Sequence, residues 1–112
     1  MESEGPNGRS VEPFVVERSE GLTTLRLRGD VDAASAPALR TVLAEIVDEA
    51  APRLRIDMAA VEFIDSVGIS VLVAAYNRTM DRGLDFEVAT VPEGCLRVFE
   101  ITRLTDVFTI VP

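Results

Sequence analysis

The sequence predicts an α/β fold: one domain built on a mixed, mostly parallel β-sheet that opens with a hairpin. Short stretches of period-two apolar alternation give way repeatedly to stretches with a period near 3.6, the signature of strands exchanging with helices. The first two strand-like stretches are joined by a tight turn alone, which makes them antiparallel. Each later pair of strands is separated by a helix, and a strand–helix–strand crossover makes its two strands parallel. At 112 residues there is room for one core of ordinary size and not for two.

Residues 1–13 are rich in Glu, Ser, Gly and Pro, have little to bury, and read as a flexible tail ahead of a domain over 14–112. Residues 14–17 form a strand, Glu20-Gly21 a turn, and residues 23–28 the partner strand, where Leu25 and Leu27 alternate with Thr24, Arg26 and Arg28. Gly29-Asp30-Val31-Asp32 is expected as a loop. Ser35 as cap and Pro37 in the first turn begin a helix with Leu39, Val42, Leu43, Ile46 and Val47 on one stripe. Pro52 restarts the chain, and Leu54, Ile56 and Met58 alternate with Arg53, Arg55 and Asp57 as a strand. A second helix carries Ile69, Leu72, Val73, Tyr76 and Met80 inward until Gly83 stops it. Residues 84–89 are a strand, Pro92 opens a third helix with Leu96 and Phe99 inward, and residues 107–111 close with a strand. The order is ββαβαβαβ.

Composition excludes much chemistry. Apolar residues make up 47% and charged residues 27%, which suits a soluble globular chain. The net charge of -8 sets up a field that repels nucleic-acid phosphates and anionic lipid, so neither nucleic acid nor membrane is an expected partner, whereas a basic protein patch is. There is no His, Lys or Trp. The usual general base and commonest metal ligand are therefore missing, as are the lysines of phosphate loops and Schiff bases. The single Cys95 cannot build a zinc site or an internal disulfide, and is read as a small buried residue. No apolar run reaches the ~20 residues that span a bilayer, and no secretory signal is evident, so a cytoplasmic location is expected.

One constellation carries chemistry. Asp65-Ser66-Val67-Gly68 lies between a strand and a helix, which places the Ser66 hydroxyl among unpaired first-turn N–H groups where an anion is tolerated. A plain N-cap is the competing use of such a serine. Asp65 can cap equally well, Ile69 stands where a capping box needs Glu or Gln, and Gly68 in a first helical turn indicates that something comes close. Asp30, Asp32, Glu62 and Asp65 read as the acidic rim of a protein-binding face. A hydrolase pair of Asp65 and Ser66, with the Gly68 amide as oxyanion donor, lacks the histidine such chemistry uses, so no enzymatic activity is expected.

The run from Val61 through Glu62-Phe63-Ile64-Asp65-Ser66-Val67-Gly68-Ile69 to Leu72 resembles the signature of the anti-sigma-factor antagonists, the bacterial STAS domains. Gly29-Asp30-Val31-Asp32 is similar to the family's Gly-Glu-hydrophobic-Asp segment, and residues 96–110 resemble its closing helix and strand. The resemblance implies a STAS-like fold with helices mainly on one face of the sheet, and a partner-switching cycle. The unphosphorylated domain would bind an anti-sigma factor Ser/Thr kinase and so release a sigma factor. Phosphorylation at Ser66 would end that binding, and a Ser phosphatase would restore it. Asp30, Val31, Asp32, Asp65, Ser66, Val67, Gly68 and Ile69 would form the partner surface, with no catalytic residue, metal or cofactor. The chain departs from the family in carrying Val67 where Ser or Thr is frequent, and Asp30 where Glu is common. A scaffold or small-ligand module not controlled by phosphorylation is the other reading the resemblance allows.

Overall fold

The computed structural model describes residues 14–49 and 52–112, so the tail expected over 1–13 lies outside the described residues. In chain order the elements are β1 (Phe14–Ser19), β2 (Leu22–Val31), α1 (Ala36–Asp48), β3 (Arg53–Ile64), α2 (Ser66–Asp81), β4 (Asp85–Ala89), α3 (Glu93–Ile101), a 3-10 turn (Leu104–Asp106) and β5 (Thr109–Val111). The strands form one sheet in the order β1-β2-β3-β4-β5, with β1 antiparallel to β2 and the others parallel. The expected order and mixed sheet are thus observed.

That order decides where the helices go. Each crossover steps one strand further in the same direction, and right-handed crossovers taken in one direction lay every helix on the same face. Leu25, Ile56 and Val88 lie in register across the sheet and are wholly buried, as are Leu54, Met58 and, beneath α2, Leu72. Removing this apolar surface from water is the main favourable term in the fold. Tyr76, Phe86, Phe99 and Phe108 close the β4–β5 side with ring centroids 5.4 to 5.7 Å apart, a spacing that favours edge and offset contacts. The opposite face carries polar pairs instead. Arg26 bridges Glu17 and Asp57, and Arg53 and Arg55 both reach Glu87.

Several local expectations are corrected. Gly29, Asp30 and Val31 are not loop but the end of β2, because β3 runs on to Ile64 and keeps them paired. Ser35 stands at the start of α1 without capping it: its hydroxyl donates to the Asp30 carbonyl and accepts from the Asp32 amide. The buried stripe of α2 is Gly68, Val71, Leu72, Ala75 and Thr79, rotated from the one expected. Ile69, Val73 and Tyr76 are only partly buried, and Met80 is exposed. Outside an exposed polar stripe of Ser66, Ser70, Asn77 and Asp81 the helix is broadly apolar, so its apolar residues do not fix which side goes in. Close packing places the small Gly68, Ala75 and Thr79 inside beside Val71 and Leu72. In α3, Cys95 joins Phe99 inside, while Leu96 is half-buried. Burial raises the Cys95 thiol pKa, which keeps it protonated and inert.

Candidate functional site

The two segments singled out in the sequence meet at the carboxyl edge of the sheet, where α/β folds gather their binding residues. Val31 pairs with Ile64 and Asp30 with Phe63. The register between β2 and β3 shifts twice, and at the second shift Glu62 is the extra residue of β3. Gly29 takes φ +71° at that shift, a conformation that suits glycine. The bulge has a visible result: Glu62 and Phe63, consecutive in the strand, are both exposed, whereas strict alternation would have sent one of them inward.

Beyond Ile64 the chain turns into α2. Asp65 is the N-cap, in extended conformation, and its Oδ1 accepts from the Gly68 amide at 2.9 Å. Its own amide donates to the Val31 carbonyl at 3.2 Å, which ties the start of the helix to the end of β2. The approach signalled by Gly68 is now identified. A Cβ on this residue would lie 2.2 Å from the Val31 carbonyl oxygen and 2.9 Å from Val31 Cγ1. Gly68 is thus the contact point between α2 and β2, and its room is filled by protein.

With Asp65 as the cap, Ser66 is freed from that task. It is the first residue of α2, and its side chain is exposed. Among the described residues no hydrogen bond occupies its hydroxyl, nor the amides of Ser66 and Val67. These amides sit at the positive end of a 16-residue helix with no acidic residue in its first turn. Val67 and Ile69 are half-buried against the core and Gly68 is buried, so Ser66 is the protruding member of the turn.

On the β2 side, Asp30 is exposed and Asp32 half-buried. Asp32 Oδ1 accepts from the amides of Ala34 and Ser35 at 3.1 and 3.2 Å, so this carboxylate is fixed by its own loop. Together with Asp65 and exposed Glu62, these groups give the edge its negative character. The structure brings together all eight residues expected at the site, from Asp30 to Asp32 and from Asp65 to Ile69, but Val31 and Gly68 are buried, so they support the edge from the core and are not part of its surface. Sequence reading took Ser35 only as a helix cap, whereas it locks the Asp32 loop, and it gave no site role to Phe63, which is 52% exposed beside Asp30. A strand–loop serine gives no periodic signal, and the exposure of Phe63 follows from the bulge. The Gly68 amide is engaged by Asp65 and is not free to serve as an oxyanion donor. Among the described residues no cluster of His, Cys, Asp or Glu could hold a metal ion, and no helix is long and apolar enough to cross a membrane.

Fold and site define a small α/β domain that displays an exposed serine hydroxyl, next to the capping Asp65, where a helix begins at the carboxyl edge of the sheet. The chain belongs to the STAS domain family, whose model matches residues 13–112, and within it to the anti-sigma factor antagonists. It is 30% identical over 95 residues to the anti-sigma-B factor antagonist of Bacillus subtilis, covering 85% of this chain and 86% of that one. The crystal structure of an anti-sigma factor antagonist from Mycobacterium paratuberculosis superposes with a TM-score of 0.81 at 31% identity, over 88% of this chain and 84% of that one. A STAS domain protein from Planctomyces limnophilus shares the fold with a TM-score of 0.77 at 21% identity, over 88% of each chain.

Proposed function

We propose that this domain captures an anti-sigma factor Ser/Thr kinase through the edge formed by Asp30, Val31, Asp32 and residues 65–69, and that phosphorylation of Ser66 releases it. Capture would free a sigma factor for transcription in the cytoplasm, and a Ser phosphatase would reset the domain. The observation that carries this reading is an exposed Ser66 hydroxyl, unbonded among the described residues, at the start of α2 while Asp65 does the capping. The names of the relatives support an anti-sigma factor as the class of partner, and that this factor is a Ser/Thr kinase is what the family resemblance implies.

The electrostatics support a switch. A phosphate on Ser66 adds a charge of about -1.5 to -2 beside Asp65, and helix-terminal amides offset part of its cost within the domain. At an interface that phosphate must lose water next to carboxylates, which costs several kcal/mol unless a cation meets it. Since ~1.4 kcal/mol is a factor of ten, one modification can lower affinity about a thousandfold. The test is incubation with an anti-sigma factor kinase and ATP. Wild type takes up phosphate and Ser66→Ala does not, and Ser66→Glu binds the kinase at least about tenfold more weakly than wild type. Unchanged binding by Ser66→Glu would return the domain to a scaffold role.

A further inference from the structure

The acidic edge explains attraction and release, but it offers little apolar surface to hold a partner once docked. Such surface lies next to it. The ladder between β3 and β4 ends at Asp57 with Ala89, so residues 58–64 have no strand on that side among the described residues. The first turns of α3 lie there instead and leave a slot of about 160 Å³ lined by Glu62, Phe63, Ile64, Gly94, Cys95 and Val98. Gly94, Val98 and Ile101 follow the i, i+4, i+7 spacing of one helix face, and Ile101 is 76% exposed. Phe63 is exposed at the other wall, paired in register with Asp30 of the proposed switch face. An apolar cavity of about 150 Å³ accepts a benzene-sized group, so the slot has the size of one large apolar side chain.

We propose that this slot is the anchor pocket of the switch face, and that the anti-sigma factor seats a single apolar side chain in it. The proposal rests on the function proposed above and adds to it the second half of the interface. Continuity is one argument, since Phe63 belongs to both the slot and the Asp30–Asp65 edge. Charge is the other: Glu62 lines the slot, exposed Asp30 pairs in register with its Phe63, and Glu93 precedes Gly94 in α3, which also carries Arg97. The partner segment is therefore an apolar residue flanked by Lys or Arg. Interfaces concentrate their affinity in such a buried anchor, while the charged rim sets on-rate and specificity.

Gly94 makes the test clean. A Cβ there meets nothing within 4 Å, so Gly94→Trp can fill the slot without disturbing the fold, and a helical glycine is no loss. The full chain and its variants are titrated calorimetrically with the anti-sigma factor Ser/Thr kinase of the source bacterium, with unfolding midpoints and oligomeric state measured alongside. Gly94→Trp and Phe63→Ala are each expected to weaken binding at least about tenfold while the unfolding midpoint holds. Wild-type affinity in Gly94→Trp, with Ser66→Glu weakened in the same series, overturns the pocket and leaves the switch standing. Loss of self-association in Gly94→Trp with unchanged kinase binding also overturns it, because the slot would then belong to a second copy of this chain. No binding by wild type overturns both proposals.

Discussion

At the scale of single residues, the site turns on a division of labour between neighbours. Asp65 caps, Gly68 packs, and Ser66 is left free because the other two hold the turn. Gly68→Ala puts a methyl group into the Val31 carbonyl, and backbone cannot swing aside as a side chain can. The expected loss is about 1–3 kcal/mol, toward the upper end, read as a lower urea midpoint. Because the first turn of α2 must move to relieve the contact, Ser66 phosphorylation should slow in the same variant. Asp65 separates capping from charge. Asp65→Ala removes the acceptor for the Gly68 amide and should cost ~0.5–2 kcal/mol, whereas Asp65→Asn keeps a capping oxygen and should stay within about 0.5 kcal/mol of wild type. If the carboxylate charge is what makes a phosphate at Ser66 intolerable to a partner, phosphorylated Asp65→Asn rebinds the kinase better than phosphorylated wild type.

At the scale of elements, what the sequence showed and what it hid divide along physical lines. Period-two alternation in residues 54–58 and the 3.6-residue period of α1 come from burial on one face, so strands, helices and their order were legible. The phase of α2 was not, since Ile69, Val73 and Met80 are as apolar as the residues that went inside, and tertiary fit chose Gly68, Ala75 and Thr79. The bulge at Glu62 was hidden for a similar reason: it is a property of the β2–β3 pairing and leaves no mark on β3 alone. The helix-free sheet face shows the same dependence on pairing. Glu87 of β4 is nearly buried there, and burial alone would raise its pKa. Hydrogen bonds from Arg55 and Arg53, both on neighbouring β3 and brought to Glu87 by register, reverse this and hold it below the usual carboxylate value. A depressed folded pKa stabilises the fold above the unfolded value near 4.5, and that stability disappears as pH falls through the folded pKa. Glu87→Gln should therefore lose ~1–3 kcal/mol at pH 7, where wild type has charged hydrogen bonds to lose, and much less at pH 3. Urea unfolding of both proteins at the two pH values checks the sign.

At the scale of the whole molecule, one-directional crossovers separate two tasks. All three helices cover one face and supply the core, so the carboxyl edge of β2 and β3 is left free to carry Asp30, Asp32, Glu62 and Asp65 together. The site is therefore a consequence of topology as much as of motif: two segments more than 30 residues apart converge because β2 and β3 are neighbours in register. Their charge has the same sign as the -8 of the full chain, and the global field and the local edge steer a basic partner in the same direction. Such steering acts over the Debye length, about 10 Å at 0.1 M salt and about 3 Å at 1 M. The association rate with the anti-sigma factor should therefore fall about tenfold or more between these salt concentrations, measured by stopped flow. Dissociation should change little, because separation of the docked pair is governed by short-range contacts such as the proposed anchor at Phe63. Phosphorylation of Ser66 should show the opposite partition. In the proposed complex its charge would sit inside the contact, beyond the reach of screening, so it should accelerate dissociation and do so even at 1 M salt. If instead salt alone restored binding of the phosphorylated domain, the phosphate would be acting at long range as one more surface charge, and the edge would repel its partner without ever having docked it.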